Sequence, residues 1–221
     1  MVSQGSGSLA DEGGDVVVHI EQVTAQPTGE GNRLEVNIET NHGPLTALMD
    51  PAEGSVKCAI FVGTEGPANG VYAKLAEDLV EQGITSLRIN PRLSGELEET
   101  VIDVLAACSL LKGLGGGRAV VVGHSYAGAV AIKSGVLSPF LTAVAALAAQ
   151  RYGTQEVDQL GKPLLLIHGE DDQVLLPLAS DDIYQRAQEP KHMVILPATG
   201  HRLLGVEQEV YDLLHQFISA A

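Results

Sequence analysis

The sequence predicts an α/β fold: a doubly wound, mostly parallel sheet with helices on both faces, entered through an antiparallel N-terminal hairpin. Two observations carry this. From Cys58 onward, short apolar runs rich in Val, Ile, Leu and Ala alternate with helix-period segments. Repeated βα units of this length give parallel strands joined by right-handed crossovers. Before Cys58, two apolar runs instead flank the turn-rich stretch Gln26-Pro27-Thr28-Gly29-Glu30-Gly31-Asn32, the pattern of paired antiparallel strands.

The elements follow in order. Residues 1–14 are rich in Gly, Ser, Asp and Glu and contain no apolar h-region, so they read as a flexible lead-in and not as a secretory signal. Residues 15–221 then form one domain. Residues 16–23 and 34–40 make the hairpin, and 45–49 add a short strand. The strand at 58–62 leads to a helix over 71–82, where Val71, Leu75, Leu79 and Val80 share one face; Gly83 ends it. A strand at 84–89, the loop 90–95 and a helix over 96–112 come next. The glycine-rich stretch 113–117 precedes a strand instead of opening a helix, so it is a helix stop and turn, not a phosphate loop. Beyond the strand–helix pair that follows, the pattern gives a strand at 142–149, where the alanines suit a helix equally, strands at 162–167 and 193–196, and helices at 178–188 and 206–219. The interval 150–161 is long enough only for a turn and a short helix.

The most informative stretch lies at 119–133. Ala119-Val120-Val121-Val122 reads as a buried strand, and Ala129-Val130-Ala131-Ile132-Lys133 is helix-compatible. Between them stands Gly123-His124-Ser125-Tyr126-Ala127-Gly128. A strand, a sharp turn with serine at its apex, then a helix is the context of a nucleophile elbow. Such a turn lifts Ser125 Oγ above the carboxyl edge of the sheet and aims the first N–H groups of the helix at the space where an anion forms. Ala127 stands at the second glycine of the pattern, with Gly128 one step later.

On these residues the chain resembles the α/β-hydrolase family, over roughly Cys58 to the C-terminus, as a minimal member without a cap domain. Two further segments carry the resemblance, in that family's chain order of Ser, Asp, His. His168-Gly169-Glu170-Asp171-Asp172 ends the strand at 162–167 and is similar to the family's His-Gly-x-x-Asp, which implies Asp172 as the triad acid and leaves Asp171 as its competitor. Gly200-His201 follows the last strand, where the family keeps its catalytic histidine. The resemblance implies Ser125 as nucleophile, His201 as general base and acid, and Asp172 as the group that orients the imidazole. It also implies an oxyanion hole built from the Tyr126 N–H and from an N–H after the strand at 58–62. Where the family commonly has His-Gly, this chain has Gly63-Thr64-Glu65-Gly66-Pro67, so Thr64 or Glu65 supplies that second donor. A Glu65 carboxylate near a developing anion would oppose it unless the side chain turns to solvent.

The remaining histidines take structural roles. His124 packs beneath the elbow, His168 bonds to backbone at a strand end, and His192 precedes its strand at the opposite sheet edge. His19, His42 and His215 lie on terminal elements. No His-x-x-x-His or Cys-x-x-Cys pair points to a metal, and no cofactor is implied. Cys58 and Cys108 read as buried free thiols, which suits a cytoplasmic protein. The net charge of −15 argues against nucleic acid and anionic membrane partners, and no apolar run is long enough to span a bilayer. The expected function is a serine esterase acting on small, short-chain carboxylic esters as a monomer or small homo-oligomer. Thioesterase, perhydrolase and acyltransferase chemistry would use the same triad. A low-turnover binding protein on the same fold is the competing class, favoured only by the unusual 63–67 loop.

Overall fold

The computed structural model describes residues 6–9 and 16–221 of the chain. Its ten strands and five α-helices form one sheet with helices on both faces. In chain order the strands are β1 (Ser6–Leu9), β2 (Val16–Pro27), β3 (Leu34–Thr40), β4 (Gly43–Asp50), β5 (Lys57–Val62), β6 (Ile84–Asn90), β7 (Arg118–His124), β8 (Leu141–Leu147), β9 (Leu164–Gly169) and β10 (Lys191–Leu196). The helices are α1 (Pro67–Val80), α2 (Leu97–Gly113), α3 (Tyr126–Leu137), α4 (Leu178–Arg186) and α5 (Glu207–Ala220). The sheet order is β1-β2-β3-β4-β6-β5-β7-β8-β9-β10. Pairs from β6 to β10 are parallel and those from β1 to β4, with the β4–β6 junction, are antiparallel.

This is the doubly wound sheet with an antiparallel entry that the alternating pattern predicts. The lead-in expected over 1–14 falls mostly outside the described residues; of it, Ser6–Leu9 is described, as β1 paired with β2. Differences within the sheet are local. β2 runs on to Pro27, through the first residues expected in the turn, because the chain reverses more tightly there. Thr28 N–H donates to the Arg33 carbonyl at 3.1 Å, and Pro27 still pairs with Leu34. His192 lies inside β10 instead of before it, at its N-terminal end. Helix α1 is assigned from Pro67, but Ala68, Asn69 and Gly70 adopt left-handed φ/ψ, so regular helix begins at Val71.

The two faces are packed by different helices. Val71, Tyr72, Leu75 and Leu79 of α1 and Val210, Leu214 and Ile218 of α5 cover one. Helices α2, α3 and α4 cover the other, with Val104, Leu111, Val130, Ile132 and Ile183 in the core. Each such side chain contributes roughly 1.5–3 kcal/mol by leaving water. The helix after β5 and the helix after β7 therefore lie on opposite faces. The strand order also turns there, β5 leading to β6 on one side and β7 to β8 on the other. Where connections diverge in this way, a crevice opens at the carboxyl ends of the strands. The loops after β5 and β7 border that crevice.

Candidate active site

The β7–α3 turn is built around Ser125, whose backbone sits at φ 59° and ψ −121°. A serine in that region is strained by about 1–3 kcal/mol, and the surroundings hold it there. Ser125 N–H donates to the Leu147 carbonyl at 2.8 Å, while the Ser125 carbonyl accepts from Gly128 N–H at 3.1 Å and Gln150 N–H at 3.3 Å. The turn is tight enough that a Cβ at Gly123 would come within 2.0 Å of the Ala127 carbonyl oxygen. Glycine is therefore needed at the first position of the pattern, whereas Ala127 is accommodated. Tyr126 opens α3, so its N–H precedes any intrahelical acceptor and is free for an anion.

Three loops converge on this serine. His201, in the loop after β10, places Nε2 3.0 Å from Ser125 Oγ. Its other ring nitrogen, Nδ1, lies 2.7 Å from Asp172 Oδ2. Asp172, in the loop after β9, is fully buried, and its Oδ1 accepts from the N–H groups of Val174 at 2.8 Å and Leu175 at 2.9 Å. Burial by itself pushes the Asp172 carboxyl up. The hydrogen bond from His201, those from Leu175 and Val174, and the charge of His201 outweigh it and hold the group below the ordinary carboxylate value. Asp171 points outward and is exposed. The acid and histidine loops are tied together by Glu170 N–H to Leu196 O at 2.8 Å and Asp171 N–H to Thr199 O at 2.9 Å. A Cβ at Gly169 would lie 2.3 Å from Thr199 O, so this approach requires glycine.

Two histidines do more than the sequence suggests. His168 bonds backbone as expected, through Nε2 to Leu175 O at 2.8 Å, but the same Nε2 is also 3.1 Å from Asp172 Oδ2. Its Nδ1 meets buried Ser180 Oγ at 2.7 Å, a hydroxyl on α4 that can donate to it. His168 thus supports the carboxylate from behind, and neither it nor Ser180 carries a local signal for that role. His124 does not simply pack beneath the elbow. Its Nε2 donates to the His201 carbonyl at 2.8 Å, with the two rings 4.8 Å apart. Burial pushes the His124 imidazole down to about 4, although the bond to the His201 carbonyl opposes the shift.

The 63–67 loop reaches the site from β5. The Thr64 carbonyl accepts from Arg88 Nη1 at 2.9 Å and the Glu65 carbonyl from Tyr72 N–H at 3.2 Å. The Glu65 side chain is exposed, its carboxylate near Gly70, so it turns to solvent. Glu65, Pro67, Asn69, His124, Arg202 and Leu204 border a cavity of about 370 Å³ beside the histidine loop. Between β8 and β9 the chain holds only a 3-10 turn at Val157–Gln159. That segment is pinned by Arg186, which donates to Thr154 O at 2.6 Å and Thr154 Oγ1 at 3.0 Å. Among the described residues no His, Cys, Asp or Glu side chains are grouped to hold a metal ion, and no helix is long and apolar enough to cross a membrane. Cys58 and Cys108 are buried and unpaired with each other.

No protein-family model matches the chain, and no curated protein matches it in sequence. Solved structures do match its shape. Est1E from Butyrivibrio proteoclasticus superposes with a TM-score of 0.72 at 17% identity, over 83% of this chain and 97% of that one. The esterase domain of a Rhodothermus marinus protein gives 0.70 at 20% identity, over 90% and 98%. XC6422 from Xanthomonas campestris, described as an α/β serine hydrolase without a lid, gives 0.67 at 20% identity, over 89% and 95%. The chain has the α/β-hydrolase fold.

Proposed function

We propose that this protein is a serine hydrolase of small carboxylic esters that works through an acyl-enzyme intermediate. One observation carries the reading: an unbroken hydrogen-bond chain from Ser125 Oγ through His201 to fully buried Asp172, at the apex of a strained strand–helix turn. A serine in an ordinary βα turn has no need of that strain or of that chain. That the Rhodothermus marinus neighbour is an esterase domain supports the substrate class by analogy of fold.

Ser125 Oγ attacks the ester carbonyl carbon as its proton passes to His201 Nε2. The oxygen that gains charge is met by the Tyr126 N–H and by an N–H of the 63–67 loop. The bond to the alkoxide leaving group then breaks, and His201 returns the proton to it. Water, deprotonated by the same nitrogen, attacks the acyl-enzyme and releases the acid with Ser125 restored. Asp172 keeps the Nδ1–H tautomer and stabilises the imidazolium.

The rim of this site favours apolar, uncharged substrates. Leu93, Tyr152, Val174, Leu176 and Leu204 are exposed on loops that follow parallel strands, at the same sheet edge as Ser125, and Leu178 is exposed at the start of α4. The net charge of −15 repels anionic esters. Labelling with a fluorophosphonate tests the reading: the parent protein reacts, and Ser125→Ala neither reacts nor hydrolyses p-nitrophenyl acetate. An unlabelled parent, or a Ser125→Ala variant within about tenfold of parental turnover, refutes it.

A further inference from the structure

Arg88 is the largest fully buried side chain among the described residues, and the reaction as described does not use it. It stands on β6 in register with Phe61 of β5, beneath the loop that leaves β5. Nη1 donates to the Thr64 carbonyl at 2.9 Å. The rest of its environment is poor. Nη2 lies 3.6 Å from Asp50 Oδ2, and among the described residues neither Nε nor Nη2 has a hydrogen-bond partner. Asp50 is shared: Arg33 Nε meets its Oδ1 at 2.9 Å, while its buried Oδ2 has only Arg88 beside it. A buried guanidinium so incompletely paired carries a desolvation cost that its contacts only partly offset.

What the arginine does achieve is to fix a peptide plane. In a trans peptide the carbonyl and the following N–H point in opposite directions. The Thr64 carbonyl is drawn toward the Arg88 guanidinium, which lies on the α1/α5 face with its register partner Phe61, so the Glu65 N–H points toward the opposite face. Helix α3 packs on that opposite face, and Ser125 stands at its N-terminus. The Glu65 N–H is thereby turned to the side on which the serine stands. The next peptide plane is held as well, because the Glu65 carbonyl accepts from Tyr72 N–H.

We infer that Arg88 is a positioning residue for the oxyanion site: by holding the Thr64 carbonyl it aims the Glu65 N–H, and not the Thr64 N–H, at the oxygen of the tetrahedral intermediate. This rests on the serine-hydrolase reading, in which the arginine's burial serves turnover at the expense of stability. A donor that must be aimed before the reaction stabilises the transition state and leaves substrate binding little changed.

The test compares Arg88→Met and Arg88→Lys with the parent, after fluorophosphonate labelling has shown the parent's serine to be activated. Arg88→Met lowers kcat on p-nitrophenyl acetate by about 10²–10³, the loss typical of one oxyanion donor, with KM changed less than about threefold. The variant folds, with a melting temperature lowered because Asp50 Oδ2 loses the cation beside it. Its affinity for a phenylboronic acid, whose tetrahedral serine adduct places an oxygen in the oxyanion site, weakens by the same factor as kcat/KM. Arg88→Lys, which keeps one donor for Thr64 O, recovers at least about tenfold. The inference is overturned if Arg88→Met keeps kcat within about threefold, or loses kcat with boronate affinity unchanged. An Arg88→Met chain that fails to fold overturns it too, since the arginine would then be structural. An unlabelled parent sinks the hydrolase reading itself, a separate outcome.

Discussion

Asp172→Asn is the substitution whose effect the geometry defines most sharply. Every group that approaches the carboxylate can donate: the Val174 and Leu175 N–H groups at Oδ1, and His201 Nδ1 and His168 Nε2 at Oδ2. An asparagine must put its NH2 against one set or the other. Placed at Oδ1, it orphans two part-buried backbone donors, at roughly 1 kcal/mol each. Placed at Oδ2, it costs less, because His168 Nε2 retains the Leu175 carbonyl and His201 can change tautomer. The second placement wins by about 2 kcal/mol on that count. His201 Nδ1 then accepts from the amide, its proton sits on Nε2 facing Ser125 Oγ, and the base is lost. The expected fall in kcat is about 10⁴, or ~5.4 kcal/mol of transition-state stabilisation, with KM little changed. Steady-state hydrolysis of p-nitrophenyl acetate measures it, with Asp171→Asn as the partner variant. Asp171 is exposed, and that change leaves kcat within about threefold. An Asp172→Asn enzyme within tenfold of the parent, or a larger loss at Asp171, refutes the assignment.

Ser125→Gly abolishes turnover but relieves the strain of a non-glycine residue at φ 59°, so the melting temperature rises, by about 2–4 °C for a gain near 1 kcal/mol; a fall shows that the turn is not strained. His124 is held neutral, its value lowered from 6.5 to about 4. The unfolded chain then binds a proton first as pH drops, so this contribution to stability is complete above 6.5 and is lost as pH falls toward 4. The loss is of the order of 3 kcal/mol by denaturant titration, and a His124→Asn variant lacking the histidine must show a flatter profile across that window or the argument fails. With nothing larger than a 3-10 turn between β8 and β9, a long acyl chain has little surface to bury against. Each added methylene gains less than its ~0.8 kcal/mol, and activity on p-nitrophenyl esters peaks at short chains; a steady rise with length, or a jump at the solubility limit, contradicts this.

Much of the fold was legible because its signals are local. The β-branched run at 119–122, the leucine run at 164–166 and the helical period of Val71, Leu75 and Leu79 each reflect what a few consecutive residues must bury. Ser125, Asp172 and His201 were named from short motifs for the same reason: each motif ends a strand, and parallel strands put all such ends on one edge. The start of regular helix at Val71 was legible from the apolar period, but the left-handed turn through Ala68, Asn69 and Gly70 was not, since Asn and Gly enter that region readily while Ala68 does not.

The sequence by itself determined which residues end the strands and which chemistry they can bring to one edge. Only the tertiary structure decided how those ends are held. Register between β5 and β6 puts Arg88 under Thr64, and so turns one peptide plane instead of its neighbour toward the serine. The bond from His124 to the His201 carbonyl and the contacts of His168 with Asp172 and Ser180 are likewise made by loops closing from separate strands. The physical reason is the range of the forces involved. Burial periodicity is read within a few residues, whereas a hydrogen-bond partner is chosen by strand register and loop closure, which the whole sheet sets at once.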